Sequence, residues 1–458
     1  MEAIAAINSQ LTLAPKWPEI RPQTLNFHSY TTLISRNKTT PLILAHCTQN
    51  PNADKQSPVD GHCRSSDSPK NPQLQSQPIS PNLSSTTGLV FDLGAGDSWD
   101  NLEIGSPVVK RFLSDDEERW CMWYHGRSRE NPAFDSIGLA VSGNGIHWER
   151  GGQGVRRNAD VGLVMSRSDN WWAFDTHGVR PSEVMVMSSN KVRSVAGVYW
   201  MYYTGYFPAS VDDSGDRSGL NFCNPDMALP GDANSDMLNS LPGLAISQDG
   251  RHWARIEGEH HTGALLDVGD DGEWDSLFLA SPQVIFHGAG DLRMYYHAYD
   301  AENGEFAIGL ARSRDGMRWL KLGKVLGAGG KGAFDERGAM NPRVVRNREN
   351  GEYVMVYEGV GVDGRRAIGM AASADGLKGW RRAPEGPVLE SSGDGGGWDC
   401  RGVGMPWLVG VGVGVGGESE EWRLYYRGIG EEGRTGIGLA VCHGSDFGSF
   451  RRWTGFHF

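Results

Sequence analysis

Cysteine is scarce, with six in 458 residues, and the six are scattered. Cys47 and Cys63 fall in an irregular head, while Cys121, Cys223, Cys400 and Cys442 are spread along the rest with no CxxC pair and no paired histidine spacing. That pattern argues against a disulfide framework and against structural zinc. Long apolar runs are also missing. No stretch approaches the roughly 18 residues needed to cross a bilayer, and the Gly/Val run at 409–417 is half glycine, so no membrane span is expected. Basic excess is lacking: 44 Lys and Arg stand against 56 Asp and Glu, a net charge of −12, the wrong sign for a protein that grips phosphate backbones. Nucleic acid is therefore not an expected partner. A Gly-X-Y period is absent as well, although glycine, 63 of 458 residues, reaches about twice its usual share of roughly 7%, and this rules out collagen. What remains is glycine beside 16 Trp and 13 Tyr, a composition of tight turns between short aromatic strands. The fold class expected is all-β.

The head differs from the body. Residues 1–46 hold two acidic residues (Glu2, Glu19), four basic ones (Lys16, Arg21, Arg36, Lys38) and nine Ser/Thr, without the apolar segment of a secretory signal. This reads as an organelle transit peptide over about 1–50, chloroplast ahead of mitochondrion because arginine is sparse, and it places the mature protein in the plastid stroma. Residues 51–86, with six Pro and eight Ser, have linker composition. Removing the first 85 residues (7 basic, 5 acidic) leaves 37 basic against 51 acidic, a net −14.

The body repeats itself five times. A Trp/Phe-Asp pair recurs at Trp99-Asp100, Phe174-Asp175, Trp274-Asp275, Phe334-Asp335 and Trp398-Asp399. Six or seven residues after each Asp a proline heads a β-rich run, at Pro107, Pro181, Pro282, Pro342 and Pro406. Then come an aromatic strand (WCMWYHG, YWMYYTG, LRMYYHA, YVMVYEG, WRLYYRG) and a third of the type GLAxSxDGxxW. Fourth strands are expected at 263–268, 323–328 and 386–391, with Asp-Gly turns at 249–250, 315–316 and 375–376. Four antiparallel strands, five times over, predict a five-bladed β-propeller over 87–458. Its blades fall at about 100–165, 175–268, 275–328, 335–391 and 399–458. The last repeat stops soon after Trp453, whereas FDLGAGDSWD (91–100) matches LDVGDDGEWD (266–275). Residues 89–93 are thus expected to close the ring as the outer strand of blade five.

These recurrences resemble the five-bladed propellers of the arabinanase/levansucrase/invertase superfamily, typified by glycoside hydrolase families 43 and 32. The resemblance implies a glycosidase working with carboxylates at the propeller mouth, often with an Asp directly before the proline of an inner strand. Here those residues are Ser106, Arg180, Ser281, Asn341 and Met405, none acidic. The resemblance admits a single axial cation, but none is predicted, and no cofactor is expected.

Positions alike in every blade read as framework, and positions that differ and are polar read as candidates for function. The five Asp belong to the first class, as acceptors of backbone or indole N–H at the turn into each inner strand. So do Tyr124, Tyr203, Tyr296, Tyr357 and Tyr426. One residue later the blades diverge to His125, Thr204, His297, Glu358 and Arg427. Blade two is one residue shorter from Asp to Pro, which places Glu183 level with Val108, Gln283, Arg343 and Trp407. Glycoside hydrolysis needs two carboxyls in different protonation states. The pair read here is Glu358 as acid and Glu183 as base or nucleophile, with Arg180, Arg343 and Arg427 binding hydroxyls or an anionic group, His125, His297 and Asn341 nearby, the two histidines alternatively satisfied core residues, and Trp407 either a stacking face for a sugar or interblade packing. The alternative for both glutamates is a structural salt bridge across the channel. An acidic insertion, 207–240, reads as a lid or a solvated loop. Two functions stay open: a glycosidase or transglycosidase, and a noncatalytic propeller binding a carbohydrate or a protein partner.

Overall fold

The structure, a computed structural model, describes residues 86–113, 118–151, 161–187, 197–208, 238–288, 290–347, 350–393, 396–412, 421–444, 447–448 and 450–455. The transit-peptide and linker readings, and all but the edges of the 207–240 insertion, lie outside these residues.

Five antiparallel sheets form a five-bladed propeller. The inner strands are Glu103–Leu113, Gly178–Met187, Ala280–Gly288, Ala339–Arg346 and Gly402–Gly412. The second strands are Glu118–Arg127, Val198–Pro208, Asp291–Asp300, Tyr353–Val360 and Glu421–Ile429, and the third are Ser136–Ser142, Leu238–Ser247, Glu305–Ser313, Arg366–Ser373 and Thr435–His443. Second strands have both faces covered by neighbouring blades, so they carry no polar alternation: Asp291–Asp300 and Tyr353–Val360 are buried along their whole length. This is the burial pattern that radial stacking requires.

Outer strands depart from expectation in blades two and four. In blade two the edge is Ala254–Ile256 and not 263–268, although Leu265 N–H still donates to Pro242 O. In blade four it is Arg381–Arg382, followed by a single bridge from Leu389 to Ile368. Blade one shows why: its edge is split into Glu149–Arg150 and Leu163–Met165, both paired to the third strand. The first piece serves another purpose, because it carries a cation to the recurring Asp. Arg150, Arg255, Lys321, Arg382 and Arg452 lie 2.6–2.8 Å from Asp100, Asp175, Asp275, Asp335 and Asp399. The same carboxylates accept the hydroxyls of Tyr124, Tyr203, Tyr296, Tyr357 and Tyr426 at 2.9–3.1 Å. The five Asp are structural as expected, but these partners are a phenol and a cation and not an indole.

Neighbouring blades are latched one position before that tyrosine. Trp123 Nε1 donates to Gly250 O of blade two, Tyr202 Oη to Gly316 O of blade three, and Tyr295 Oη to Gly376 O of blade four. Tyr425 Oη of blade five donates to Gly145 O of blade one. Each acceptor glycine has positive φ, 69–80°, which lets a tight turn aim its carbonyl at the neighbour. Blade four has Val356 at this place and no hydroxyl. The ring closes as expected, with Leu89–Phe91 paired antiparallel to Thr435–His443.

Candidate functional site

The inner strands begin at one mouth of the channel, and the residue before each proline sets the local geometry. Ser106, Ser281, Asn341 and Met405 have φ of 45–53°, a left-handed conformation that costs a non-glycine residue about 1–2 kcal/mol. The pose turns each N–H toward the preceding blade. Ser281 N–H donates to Thr204 Oγ1 (2.9 Å), Asn341 N–H to His297 Nδ1 (3.2 Å) and Met405 N–H to Glu358 Oε2 (2.8 Å). Three of the five unlike polar residues are therefore acceptors that pin the next blade. The other two are not. Arg427 has no lone pair to offer, so Ser106 N–H turns to Met405 Sδ at 3.3 Å. His125 faces blade two, which lacks the extra residue and the left-handed N–H. Strand pairing sets Glu183 opposite Tyr202, as Val108 is set opposite Trp123 and Trp407 opposite Tyr425, the register read from the shortened spacing.

Where the pinning pattern fails, a charged cluster takes its place. Glu103 Oε1 lies 2.7 Å from Arg427 Nη2, 3.6 Å from His125 Nε2 and 3.9 Å from Arg180 Nη2, and Glu103 Oε2 lies 3.3 Å from Arg127 Nη1. Asp135 accepts Arg127 Nε at 2.7 Å and Arg180 Nε at 2.6 Å. Burial would push the Glu103 carboxyl up, but Arg427, His125, Arg127 and Arg180 hold it well below the usual range. Asp135 is likewise raised by burial and brought down by Arg127 and Arg180 to about 2. Burial, with help from Arg180, lowers His125 to about 4, so at neutral pH its imidazole is uncharged. Two glycines make room. A Cβ on Gly105 would stand 2.7 Å from His125 Cε1 and 2.8 Å from Arg427 Cδ, and one on Gly404 would collide with the Glu358 carboxylate.

Deeper in the channel Glu183 anchors a cross-brace. It accepts Lys110 Nζ, Arg343 Nη1 and, at 3.0 Å, Gln283 Nε2. Gln283 Oε1 in turn accepts Val344 N–H (3.1 Å). The Arg343 guanidinium lies 3.5 Å from the centroid of the Trp407 ring, and Trp407 Nε1 donates to Val109 O (2.8 Å). All five blades are tied at this level. Burial pushes the Glu183 carboxyl up, and Arg343 and Lys110 bring it below its ordinary value. Burial lowers both Lys110 and Arg343, with Glu183 opposing.

The residues singled out from sequence thus divide. Arg180, Arg427 and His125 meet around Glu103, with Asn341 and Glu358 in the adjoining blade: Glu358 Oε2 also accepts Asn341 Nδ2 (2.8 Å), and Oε1 accepts Arg366 Nη1 (2.8 Å). Glu183 and Arg343 belong to the deeper brace, and the partners of Glu183 and Glu358 are different residues. His297 is fully buried behind Asn341. Trp407 cannot serve as a stacking platform, because it is 3% exposed and Arg343 covers its face. Sequence reasoning missed Glu103, Arg127, Asp135, Arg366 and Lys110. Glu103 did leave a signal: its counterparts are Gly178, Phe278, Gly338 and Gly402, so a lone carboxylate stands where no other blade has a charged residue. Among the described residues no cluster of three or more His, Cys, Asp or Glu side chains is arranged to hold a metal ion, and no helix is long and apolar enough to cross a membrane.

No protein-family model matches the chain, and no curated protein matches its sequence. Solved structures do match. A glycoside hydrolase aligns at 16% identity and a TM-score of 0.51, covering 79% of this chain and 94% of its own. A thermostable family-43 glycoside hydrolase aligns at 16% identity and the same TM-score, over 78% of this chain and 94% of its own. At that identity the likeness is one of fold: the chain has the five-bladed propeller of glycoside hydrolases.

Proposed function

From the propeller it shares with family-43 glycoside hydrolases, we propose that the protein recognises a carbohydrate at the channel mouth, over blades five, one and two, and holds it without cleaving it. The carrying observation is that Glu103, Asp135, Glu183 and Glu358, with side chains 0–8% exposed, are each ion-paired to at least one cation, the second Glu358 oxygen accepting instead from Asn341 Nδ2 and Met405 N–H. Cleavage of a glycosidic bond needs one carboxyl that gives up a proton and a second that stays ionised. Glu103, Asp135 and Glu183 are all shifted toward the ionised form, and both Glu358 oxygens accept hydrogen bonds. What the mouth offers a ligand is a fixed array of donors, suited to hydroxyls and ring substituents. The Ser/Thr-rich, acid-poor head supports the plastid stroma as the place where this happens.

The hydrolytic reading takes Glu358 as acid and Glu183 as base; the one observation in its favour concerns Glu358, which together with Glu103 acts on the Arg427 guanidinium, so two carboxyls flank one group at the mouth, whereas Glu183 lies in the deeper brace. One experiment separates the readings. Full-length protein, Glu358→Gln and Glu183→Gln are checked for folding, then assayed for turnover on aryl glycosides and plant oligosaccharides and for binding by calorimetry. Saturable binding without turnover is the expected result. Turnover by the parent that both folded variants lose would replace recognition with hydrolysis.

A further inference from the structure

Ser106, His125 and Glu103 form a line that the other blades do not repeat. Ser106 Oγ and His125 Nδ1 are 3.0 Å apart, and on the far side of the ring His125 Nε2 faces Glu103 Oε1 at 3.6 Å. Among the described residues Nε2 has no other hydrogen-bond partner. The carboxylate therefore favours the tautomer with its proton on Nε2 and leaves the Nδ1 lone pair to Ser106. The other acceptor in reach of the hydroxyl, Met405 Sδ at 3.3 Å, is a thioether and accepts weakly. Burial, with Arg180, keeps the imidazole uncharged at neutral pH, the form in which it can take a proton. Blade three holds the same residue types at the same places, Ser281 and His297, yet does not join them. Ser281 Oγ donates to Asn341 Oδ1 (2.6 Å), and His297 Nδ1 accepts Asn341 N–H (3.2 Å). The difference follows from the residue that blade two lacks: with no left-handed N–H to pin there, His125 Nδ1 is left for the serine of its own blade. Ser106 is half-buried at the mouth, whereas His125 is fully buried and the Glu103 side chain is 8% exposed.

We infer that the mouth hydrolyses carboxylic esters carried on the carbohydrate it binds, such as O-acetyl groups, with Ser106 as nucleophile, His125 as general base and Glu103 as the positioning residue that orients the imidazole. A hydroxyl within hydrogen-bond reach of a base, the base held by a third group, is the arrangement that activates a serine, and the contact to the third group tightens once the imidazole gains charge. Ser106 Oγ bonds the ester carbonyl carbon as its proton passes to Nδ1. The bond from that carbon to the sugar oxygen then breaks, and Nδ1 returns the proton to this oxygen, which frees the alcohol and leaves an acyl-serine. Water attacks the acyl carbon and gives a proton to Nδ1; the bond to Oγ breaks, Oγ recovers the proton, and a carboxylic acid leaves. The sum is ester plus water to alcohol plus acid, with no redox partner. A Cβ on Gly105 would stand 2.8 Å from Arg427 Cδ and 2.7 Å from His125 Cε1, so the Arg427 guanidinium borders the same gap and is placed to meet the oxyanion. The glycosidic bond is untouched. The choice of a sugar-borne ester rests on the carbohydrate reading above; the acyl chemistry does not.

The test uses full-length protein and three readouts: hydrolysis of p-nitrophenyl acetate, acetate release from O-acetylated xylo-oligosaccharides, and labelling by a fluorophosphonate with the labelled serine located by mass spectrometry. The expected result is release of p-nitrophenol and of acetate, with the label on Ser106. Ser106→Ala should lose the label and at least about 100-fold in kcat/KM, while Ser281→Ala keeps both. His125→Gln should lower kcat at least about 100-fold. Glu103→Gln should lower kcat with KM held, and Glu103→Asp should restore part of it, a split that loss of packing alone does not give. Should either Glu103 variant fail to fold, the label on the parent still decides. No hydrolysis and no label, a label on another serine, or activity that persists in folded Ser106→Ala overturns the inference and leaves carbohydrate recognition standing. Hydrolysis of p-nitrophenyl acetate that Ser106→Ala loses, without acetate release from the oligosaccharides, keeps the serine chemistry and overturns the sugar ester.

Discussion

His125 gives the sharpest stability prediction. Its side chain is fully buried, and burial with the nearby Arg180 lowers its pKa from 6.5 to about 4. In the unfolded chain the imidazole takes up its proton near pH 6.5, whereas the folded protein resists until about pH 4, so the unfolded state binds more protons between these values. The stabilisation is complete above pH 6.5 and is lost as pH falls toward 4. A gap of about 2.5 units corresponds to about 3 kcal/mol in all, of which about 2.5 kcal/mol falls between pH 7.5 and 4.5. His125→Gln removes the proton site, so urea unfolding of parent and variant at the two pH values isolates the effect. His260 and His287, also lowered by burial, are present in both proteins and cancel. The parent should lose about 2.5 kcal/mol more than the variant over this interval. Parallel losses, within about 0.5 kcal/mol, would refute the view that His125 is held neutral beside the arginines.

Other perturbations follow from the same geometry. Asp135→Asn should cost at least about 2 kcal/mol at pH 7, since a carboxyl held at about 2 in place of 3.8 contributes that much once both states are ionised. The deficit should shrink as pH falls from 4 toward 2, because the parent alone then takes up the proton. Tyr295→Phe removes one interblade bond to Gly376 O and should cost about 1 kcal/mol in denaturant unfolding. Asp399→Asn strips Arg452 and Tyr426 of a shared acceptor and should cost about 1–3 kcal/mol in the same assay. Gly404→Ala places a methyl against Glu358; it should destabilise the fold by about 1–3 kcal/mol through overpacking and weaken calorimetric binding at the mouth.

The propeller was legible because its signals recur. One Asp, one Tyr and one tight turn per repeat were enough to place every inner, second and third strand, and the match of 91–100 to 266–275 located the closing strand. Outer strands were less legible, since Arg381–Arg382 and Ala254–Ile256 hold too few residues to show a period. At the site, comparison between blades found Arg180, His125 and Arg427 because they differ at one level. It also proposed Trp407 as an open face, because a sequence says which level a side chain occupies but not that Arg343 lies over it. Glu103 and Arg127 went unseen because they lie outside the recurrent motif, and their partnership emerges only when the two strands pair.

Closing the ring with Leu89–Phe91 has a consequence for the order of folding. Blade five cannot be completed until the first strand of the domain, which pairs with Thr435–His443, meets nearly the last. Closing so long a loop carries an entropy cost that grows only slowly with length, but the contact is among the most non-local a chain of this size can make, and such contacts form late. Blades one to four can therefore assemble during synthesis while blade five waits as an open sheet with an unpaired edge, the state most exposed to strand addition by another chain. The same arrangement makes the peptide between Phe91 and Glu103 a hinge of unusual weight: a single cut there would leave every blade intact in sequence and yet release the strand that holds the circle shut.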